Sequence, residues 1–264
     1  MQNYLSRLSV QQILLFLSIF LLPSLGHEEV DNKQLVPVNK AGIVLTFDDN
    51  AVSAWLMADS ILKKHRWKAT FCITKINRLT VNEMRKLHAL QDAGHEIAGH
   101  GLNHADAVKH IKNYNITSYL QKEIIPMNEI LQKESFVVNS FAYPNGNGSK
   151  KCDRILLKYF KILRGTTYGE KTPAKHNCFF NNSPVVYGIG IDSNYEHYSD
   201  EYLIDLLSYA KINGKILIVY GHKPVYDITG DYQVKISTLE LICRYIEENN
   251  MKYYTLSDLA KELK

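Results

Sequence analysis

The sequence predicts an α/β fold, an incomplete or distorted (β/α) barrel of about seven parallel strands in a single domain. Two observations predict it. Strand and helix patterns alternate from residue 41 to the end of the 264-residue chain, and polar residues repeatedly follow directly after the predicted strands. A doubly wound open sheet is the alternative that the alternation also allows. In a barrel the carboxyl ends of the strands converge on one face, so these polar residues would share one pocket.

The predicted strands are short runs of aliphatic, β-branched and aromatic residues that end at turn or polar residues. The first is an uninterrupted hydrophobic run, and the third is a short strand that leads into two histidines. In chain order, the predicted strands are 43–47, 68–74, 96–98, 137–143, 161–166, 185–191, 216–220 and 253–255.

The predicted helices have apolar residues about 3.6 positions apart and are bounded by capping residues. Thr80 is the N-cap of the second helix, Gly94 follows its end, and the Asn213-Gly214 pair stops the fifth. In chain order, the predicted helices are 52–65, 81–92, 117–133, 151–160, 200–211, 234–249 and 259–263.

The first 26 residues differ from the rest. Arg7 is their only charged residue, residues 13–22 are apolar apart from one serine, and small residues precede His27. We therefore expect a signal peptide at 1–26, a linker or N-terminal cap at 27–40 and the main domain at 41–264. The expected location is the periplasm, the cell envelope or the extracellular space. An uncleaved anchor is the alternative, although the apolar run is shorter than the ~20 residues of a bilayer span.

The net charge of +4 and the pI of about 8.7 are mild, and no block of Lys and Arg occurs. We therefore expect no nucleic-acid partner and no stable membrane span after signal cleavage. Of the four cysteines, Cys72 and Cys243 are predicted to be buried thiols, whereas Cys152 and Cys178 lie nearer loops and could pair. The cysteines lack metal-site spacing.

The first predicted strand delivers two adjacent carboxylates, Asp48 and Asp49, and the third leads into His100 and His104. One carboxylate and two imidazoles form an open three-ligand site for a divalent metal, for which Zn²⁺ is the expected ion. The second carboxylate beside them is placed to act as a base. Histidines four residues apart lie on the same side of a helical turn. The alternative is that the Asp pair only caps the following helix.

Polar residues also follow three later strands. His222 lies where a proton donor to a leaving group is needed, although a histidine after a strand is often structural. Residues 143–146 read as a turn whose backbone N–H groups could hold an oxyanion. Asp192 ends the strand between these two motifs.

These motifs resemble the polysaccharide deacetylases of carbohydrate esterase family four, the NodB-homology domain, over nearly all of residues 41–264. That family has the ordered motifs T-F-D-D-G, H-[ST]-x-x-H, R-x-P-x-G, an Asp-containing fourth motif and an aliphatic strand ending in L-x-H. Here they are Thr46-Phe47-Asp48-Asp49-Asn50, His100-Gly101-Leu102-Asn103-His104, Ala142-Tyr143-Pro144-Asn145-Gly146, Ile191-Asp192 and Val219-Tyr220-Gly221-His222.

By position, the resemblance implies Asp48 as the base, His222 as the acid, and Asp49, His100 and His104 as the metal ligands. It implies a metal-dependent hydrolase that removes N-acetyl groups from amino-sugar polymers or oligomers, such as chitin, peptidoglycan or poly-N-acetylglucosamine. An O-acetyl esterase on xylan-like polysaccharides and a non-catalytic glycan-binding domain are the alternatives.

The residues expected at the substrate are Tyr143, Asn145, Asp192 and Tyr220. Tyr220 replaces the leucine that lines the family's acetyl pocket.

Three further motif positions depart from the family pattern. Asn50 stands for glycine, Gly101 for serine or threonine, and Ala142 for the arginine that holds the base in the family. Arg164 follows the strand residues Lys161–Leu163 and could reach the same face as a substitute. The alternative is that Arg164 is a surface or structural residue.

Overall fold

Seven parallel strands close into a barrel in the computed structural model, which describes residues 40–169 and 171–263. Each strand pairs with the next in sequence, and the seventh pairs with the first. The strands are β1 Gly42–Asp49, β2 Thr70–Ile73, β3 Glu96–Gly99, β4 Ser140–Ala142, β5 Ile162–Thr167, β6 Val185–Gly190 and β7 Ile216–Gly221. The predicted barrel is therefore confirmed, and the open sheet is excluded.

Three short strands complete the set. β8 Lys223–Val225 and β9 Gln233–Lys235 form a separate parallel pair, which the sequence did not predict. β10 Lys252–Tyr254 pairs with the first half of β1, and β2 pairs with its second half. The barrel is distorted, since β6 and β7 pair at only two positions and residues 178–180 bond to the lower part of β7.

Helices cover the outside of the barrel, except for the last helix, which packs against its interior. They are α1 Val52–Leu62, α2 Val81–Asp92, α3 Ala107–Asn113, α4 Ile116–Tyr119, α5 Ile125–Lys133, α6 Lys150–Leu156, α7 Asp200–Ile212, α8 Ile236–Glu248 and α9 Leu256–Glu262. Local sequence sets their ends: Thr80 and Glu83 form a capping box at α2, and Ser149 and Ser199 cap α6 and α7. The helix predicted at 117–133 contains a π-helical turn, Leu120–Ile124, and α3 was not predicted.

Alternation along the strands separates two apolar clusters. The larger lies between strands and helices and includes Phe47, Phe71 and Phe141. The smaller lies inside the barrel, where Leu256 and Leu259 of α9 pack against the inward side chains of the lower strands. The lower interior is therefore a packed core, which places the polar inward residues at the carboxyl end.

The structure describes all four cysteines as free and buried, so the predicted option of a Cys152–Cys178 pair is wrong. Both thiols lie in the apolar cluster between strands and helices. The predicted signal peptide at 1–26 lies outside the described residues, as does all of the predicted linker at 27–40 except Lys40. Within the described ranges, no helix has the length and apolarity that a bilayer crossing requires.

Candidate active site

The polar residues that follow the strands meet in one cavity of about 370 Å³ at the carboxyl end of the barrel. The first, third and seventh strands each deliver side chains to it. The lining residues are Asp48, Asp49, His100, His104, Asn145, Gly146, Thr166, Tyr168, Tyr195, Tyr220, His222 and Tyr232. The convergence predicted from the sequence is therefore present.

Three of these residues form a group that could hold a metal ion. Ligand atoms of Asp49, His100 and His104 all lie within 4.8 Å of one another. Asp49 Oδ1 is 3.3 Å from His104 Nε2 and 3.8 Å from His100 Nε2. Asp49 ends β1 with a left-handed φ of 79°, a strained conformation for a residue with a side chain. One carboxylate oxygen and two imidazole nitrogens suit Zn²⁺ and leave a coordination position open.

The ring of His100 is oriented for this role. The Nδ1 atom donates to the Ala142 carbonyl at 2.9 Å, which fixes the tautomer and leaves Nε2 facing Asp49. Burial lowers the pKa of His100 to about 4, even though the nearby Asp48 charge opposes this shift. The imidazole is therefore neutral near pH 7, the state in which a histidine binds metal.

The two histidines do not lie on a helical turn, and that part of the prediction is wrong. Residues 100–105 form a loop in which Gly101 and His104 both have positive φ, 75° and 64°. The left-handed turn at His104 brings the rings to a centroid distance of 4.9 Å. A loop thus achieves the convergence that the sequence spacing had attributed to helical periodicity.

The candidate base, Asp48, is only 4% exposed and pairs with Arg164. One guanidinium nitrogen of Arg164 donates to both carboxylate oxygens. Burial by itself would raise the pKa of Asp48, but the charges of Arg164, His100 and His222 outweigh it and the pKa is lowered. Asp48 is therefore ionised near neutral pH, as a base must be.

Arg164 makes the contact with Asp48, so of its two alternative roles it takes that of the substitute for the family's arginine. It is fully buried inside the barrel, on β5, and it is the direct register partner of Ala142 on β4. The cation thus lies one strand away from the family's position and at the same level. The carbon of its guanidinium lies 5.1 Å from the Tyr220 ring centre, within cation–π range.

The candidate acid, His222, is held by Asp192. Its Nδ1 lies 2.6 Å from Asp192 Oδ2, and its backbone N–H donates to Oδ1 of the same carboxylate. Burial would lower the pKa of His222, but the hydrogen bond and charge of Asp192 outweigh it and the pKa is raised. Asp192 is fully buried and absent from the cavity wall, so it acts through His222 and not as the expected substrate contact.

The third motif forms a tight turn. Asn145 lines the cavity with a left-handed φ of 57°, and a Cβ on Gly146 would lie 1.8 Å from Thr166 Oγ1. Tyr143 does not reach the cavity. Its ring is buried against Phe141 and its hydroxyl donates to Asp153 at 2.7 Å, so its expected contact with substrate is not supported.

Tyrosines form one wall of the cavity. Tyr220 is buried, and burial raises the pKa of its phenol, which stays neutral. Tyr195 packs edge-on against it, whereas Tyr168 and Tyr232 are about half exposed at the rim. Of these four, only Tyr220 was predicted. The other three lie in loops that show no sequence pattern distinguishing them from the remaining tyrosines.

Residues 36–159 match the family model described as polysaccharide deacetylase. This match confirms the resemblance to the polysaccharide deacetylases that the sequence motifs carry. A deacetylase is a hydrolase, which agrees with the enzyme class expected from the motifs. No curated protein matches the sequence.

Solved structures share the barrel of this protein. The family 4 acetyl xylan esterase from Clostridium thermocellum, solved with cobalt, has 19% identity and a TM-score of 0.53 over 84% of this chain and 91% of that chain. The peptidoglycan N-acetylglucosamine deacetylase catalytic domain from Eubacterium rectale has 16% identity and a TM-score of 0.50 over 81% and 88%. A pseudoenzyme of the family from Bacillus anthracis has 18% identity and a TM-score of 0.51 over 84% and 66%. At such identities the likeness concerns the fold.

Proposed function

We propose that this protein is an active, zinc-dependent deacetylase that removes N-acetyl groups from amino-sugar polymers or oligomers. The observation that carries the proposal is the meeting of a metal-ligand triad, an ionised carboxylate and a carboxylate-bound histidine in one cavity. The N-terminal sequence favours export to the cell envelope or the extracellular space, where such polymers are found.

The residues divide the chemistry between them. When bound by Asp49, His100 and His104, Zn²⁺ would supply Lewis acidity and lower the pKa of a water molecule. Asp48 accepts the proton of the attacking water, for which Arg164 keeps it ionised and oriented. The Gly146 and Asn147 N–H groups already donate to carbonyls of the same turn. The backbone N–H of Asn145 is therefore the group that would donate to the developing oxyanion.

His222 completes the reaction by protonating the leaving group. An amine leaves an acyl carbon only when it is protonated, so amide cleavage places a stronger demand on this acid than ester cleavage does. The raised pKa of His222 keeps more of it protonated near neutral pH. This feature favours N-deacetylation over the O-acetyl esterase alternative.

Acetate release tests the proposal on three substrates: chitin oligomers, peptidoglycan and acetylated xylan. We expect release from the first two in the zinc-loaded protein. Release from xylan alone would replace the N-deacetylase with an esterase, and no release from any substrate would support a glycan-binding role.

Metal content is tested separately by elemental analysis of His104→Ala, with His110→Ala as control. His110 lies on α3 and contacts Tyr114, Tyr119 and Ser118 outside the cavity. We expect one zinc ion per chain in the wild type and in the control, and loss of most of it in His104→Ala. Full zinc occupancy in His104→Ala would contradict the ligand assignment.

A further inference from the structure

A buried carboxylate lies behind the loop that carries the two histidine ligands. Glu123 is 2% exposed and belongs to the π-helical turn Leu120–Ile124, between α4 and α5. The Ile125 N–H reaches back to the Leu120 carbonyl, which is the five-residue spacing of a π-turn. Such turns are rare and often occur at functional sites. A buried carboxylate is costly unless hydrogen bonds satisfy it.

Among the residues that the structure describes, the donors to this carboxylate all come from residues 100–105, which we call the histidine loop. Glu123 Oε2 accepts from the backbone N–H of Asn103 at 2.8 Å and of Ala105 at 3.4 Å. Its Oε1 accepts from the Asn103 side chain at 3.0 Å, and its own carbonyl accepts from the Leu102 N–H at 3.1 Å. Glu123 therefore accepts hydrogen bonds from the residues on both sides of His104.

The backbone of His104 explains why two donors reach one oxygen. With a φ of 64°, His104 turns the neighbouring N–H groups of residues 103 and 105 toward the same side. Successive N–H groups around a left-handed residue form a concave anion site, which the carboxylate of Glu123 fills. The anion offsets the unfavourable left-handed conformation that aims the His104 ring at Asp49.

Gly101 fits the same arrangement. A Cβ built there would lie 3.0 Å from Glu123 Oε2, and its φ is 75°. The serine or threonine of the family motif would therefore press on the carboxylate. The opposite edge of the loop is held by Thr74, whose hydroxyl donates to the Gly101 carbonyl at 2.7 Å.

We propose that Glu123 is a positioning residue that holds the histidine loop in its metal-binding conformation before the metal arrives. The metal-affinity part rests on the proposed function, whereas the loop conformation can be measured without metal. Glu123 touches no substrate and acts through His104.

The test compares Glu123→Gln and Glu123→Ala with Glu129→Gln, which changes an exposed carboxylate on α5. Hydrogen exchange of the Asn103 and Ala105 amides is measured on metal-free protein, and zinc affinity by competition with a chelator. Substitution of outer-shell partners typically lowers metal affinity by about 10- to 100-fold. We expect a loss in this range and faster exchange at both amides for the Glu123 variants, with wild-type behaviour for Glu129→Gln.

Spectra of the cobalt-substituted proteins separate positioning from general stability. Altered visible bands in Glu123→Gln, with unchanged exchange in the distant α8, support positioning of the ligands. The proposal is overturned by wild-type exchange rates at the Asn103 and Ala105 amides in Glu123→Gln, or by an unchanged metal affinity and spectrum in that variant. If Glu123→Ala does not fold, Glu123→Gln alone decides. If the wild type binds no zinc, the proposed function fails, while the exchange comparison still tests the grip on the loop.

Discussion

Arg164→Met removes the cation from the candidate base while keeping a long side chain in the barrel. In the wild type, burial raises the pKa of Asp48 and Arg164 is the largest opposing influence. An opposite charge in contact usually lowers a carboxyl pKa by ~1 to 3 units, so its loss should raise the pKa of Asp48 by about that amount. The acidic limb of kcat/KM against pH should move upward equally, because that limb reports the free enzyme's base.

The same substitution should also destabilise the fold in a pH-dependent manner. Removing one partner of a buried ion pair costs about 3–5 kcal/mol, which is a fall in Tm of about 6–20 °C for a domain of this size. In the wild type, the lowered pKa of Asp48 stabilises the fold at pH values above 3.8, the unfolded pKa. This stability is lost as the pH falls through the lower pKa of the folded state. In the variant, the uncompensated carboxylate should cost most at high pH, so the two stability curves should converge in acid.

The assay is kcat/KM for acetate release from a chitin oligomer across pH, with thermal unfolding of metal-free protein in the same buffers. Arg154→Met is the matched control, since Arg154 is exposed on α6. Adding Ala142→Arg to Arg164→Met should return the acidic limb toward the wild-type position, because the two residues are register partners. An Arg164→Met variant with an unmoved acidic limb and unchanged stability would refute the reasoning.

Three further outcomes are expected. Asp48→Asn should keep its zinc by elemental analysis but lose activity by ~10² to 10⁴, and near-normal turnover would exclude Asp48 as the base. Asp192→Asn keeps an acceptor for His222 but removes the charge that raises its pKa, so the basic limb of kcat/KM should move to lower pH. His95 is bonded to Asp59, and burial lowers its pKa below 6.5. The neutral His95 therefore contributes its full stability above pH 6.5, the unfolded pKa, and this contribution is lost as the pH falls toward the lower folded pKa, at up to about 1.4 kcal/mol per pH unit. Denaturant titrations of His95→Gln should show a smaller decrease in the free energy of unfolding over the same pH range.

The sequence predicted the barrel because its strands are hydrophobic runs of the right length and end in polar residues. Asp48, His100 and His222 each follow or end such a run, and the structure brings all three to one cavity. By contrast, β8 and β9 have three residues each, too few for alternation to stand out. The π-turn has the composition of an ordinary helix, so periodicity gave no sign of it.

The contacts that sequence reasoning could not establish join segments that are far apart in the sequence. Arg164 and Ala142 are 22 positions apart in the sequence but face each other in register, which only the folded sheet reveals. Glu123 follows the histidine loop by 18 positions or more, and its burial depends on how α4 and α5 pack. Asp192 was predicted at the strand end, but its role follows from the contacts of both its carboxylate oxygens with His222, 30 positions further along the chain.

The position of Arg164 bears on whether this protein is catalytic. Ala142 is the departure that most favours a glycan-binding domain without activity, since it leaves Asp48 without the family's arginine. The positive charge that lowers the pKa of this carboxylate does not have to come from a particular strand. Inward side chains at one level of a closed barrel reach the same central space, so a neighbouring strand can supply the missing group. Because Arg164 occupies that space and donates to both oxygens of Asp48, the departure at Ala142 is compensated and no longer argues against catalysis.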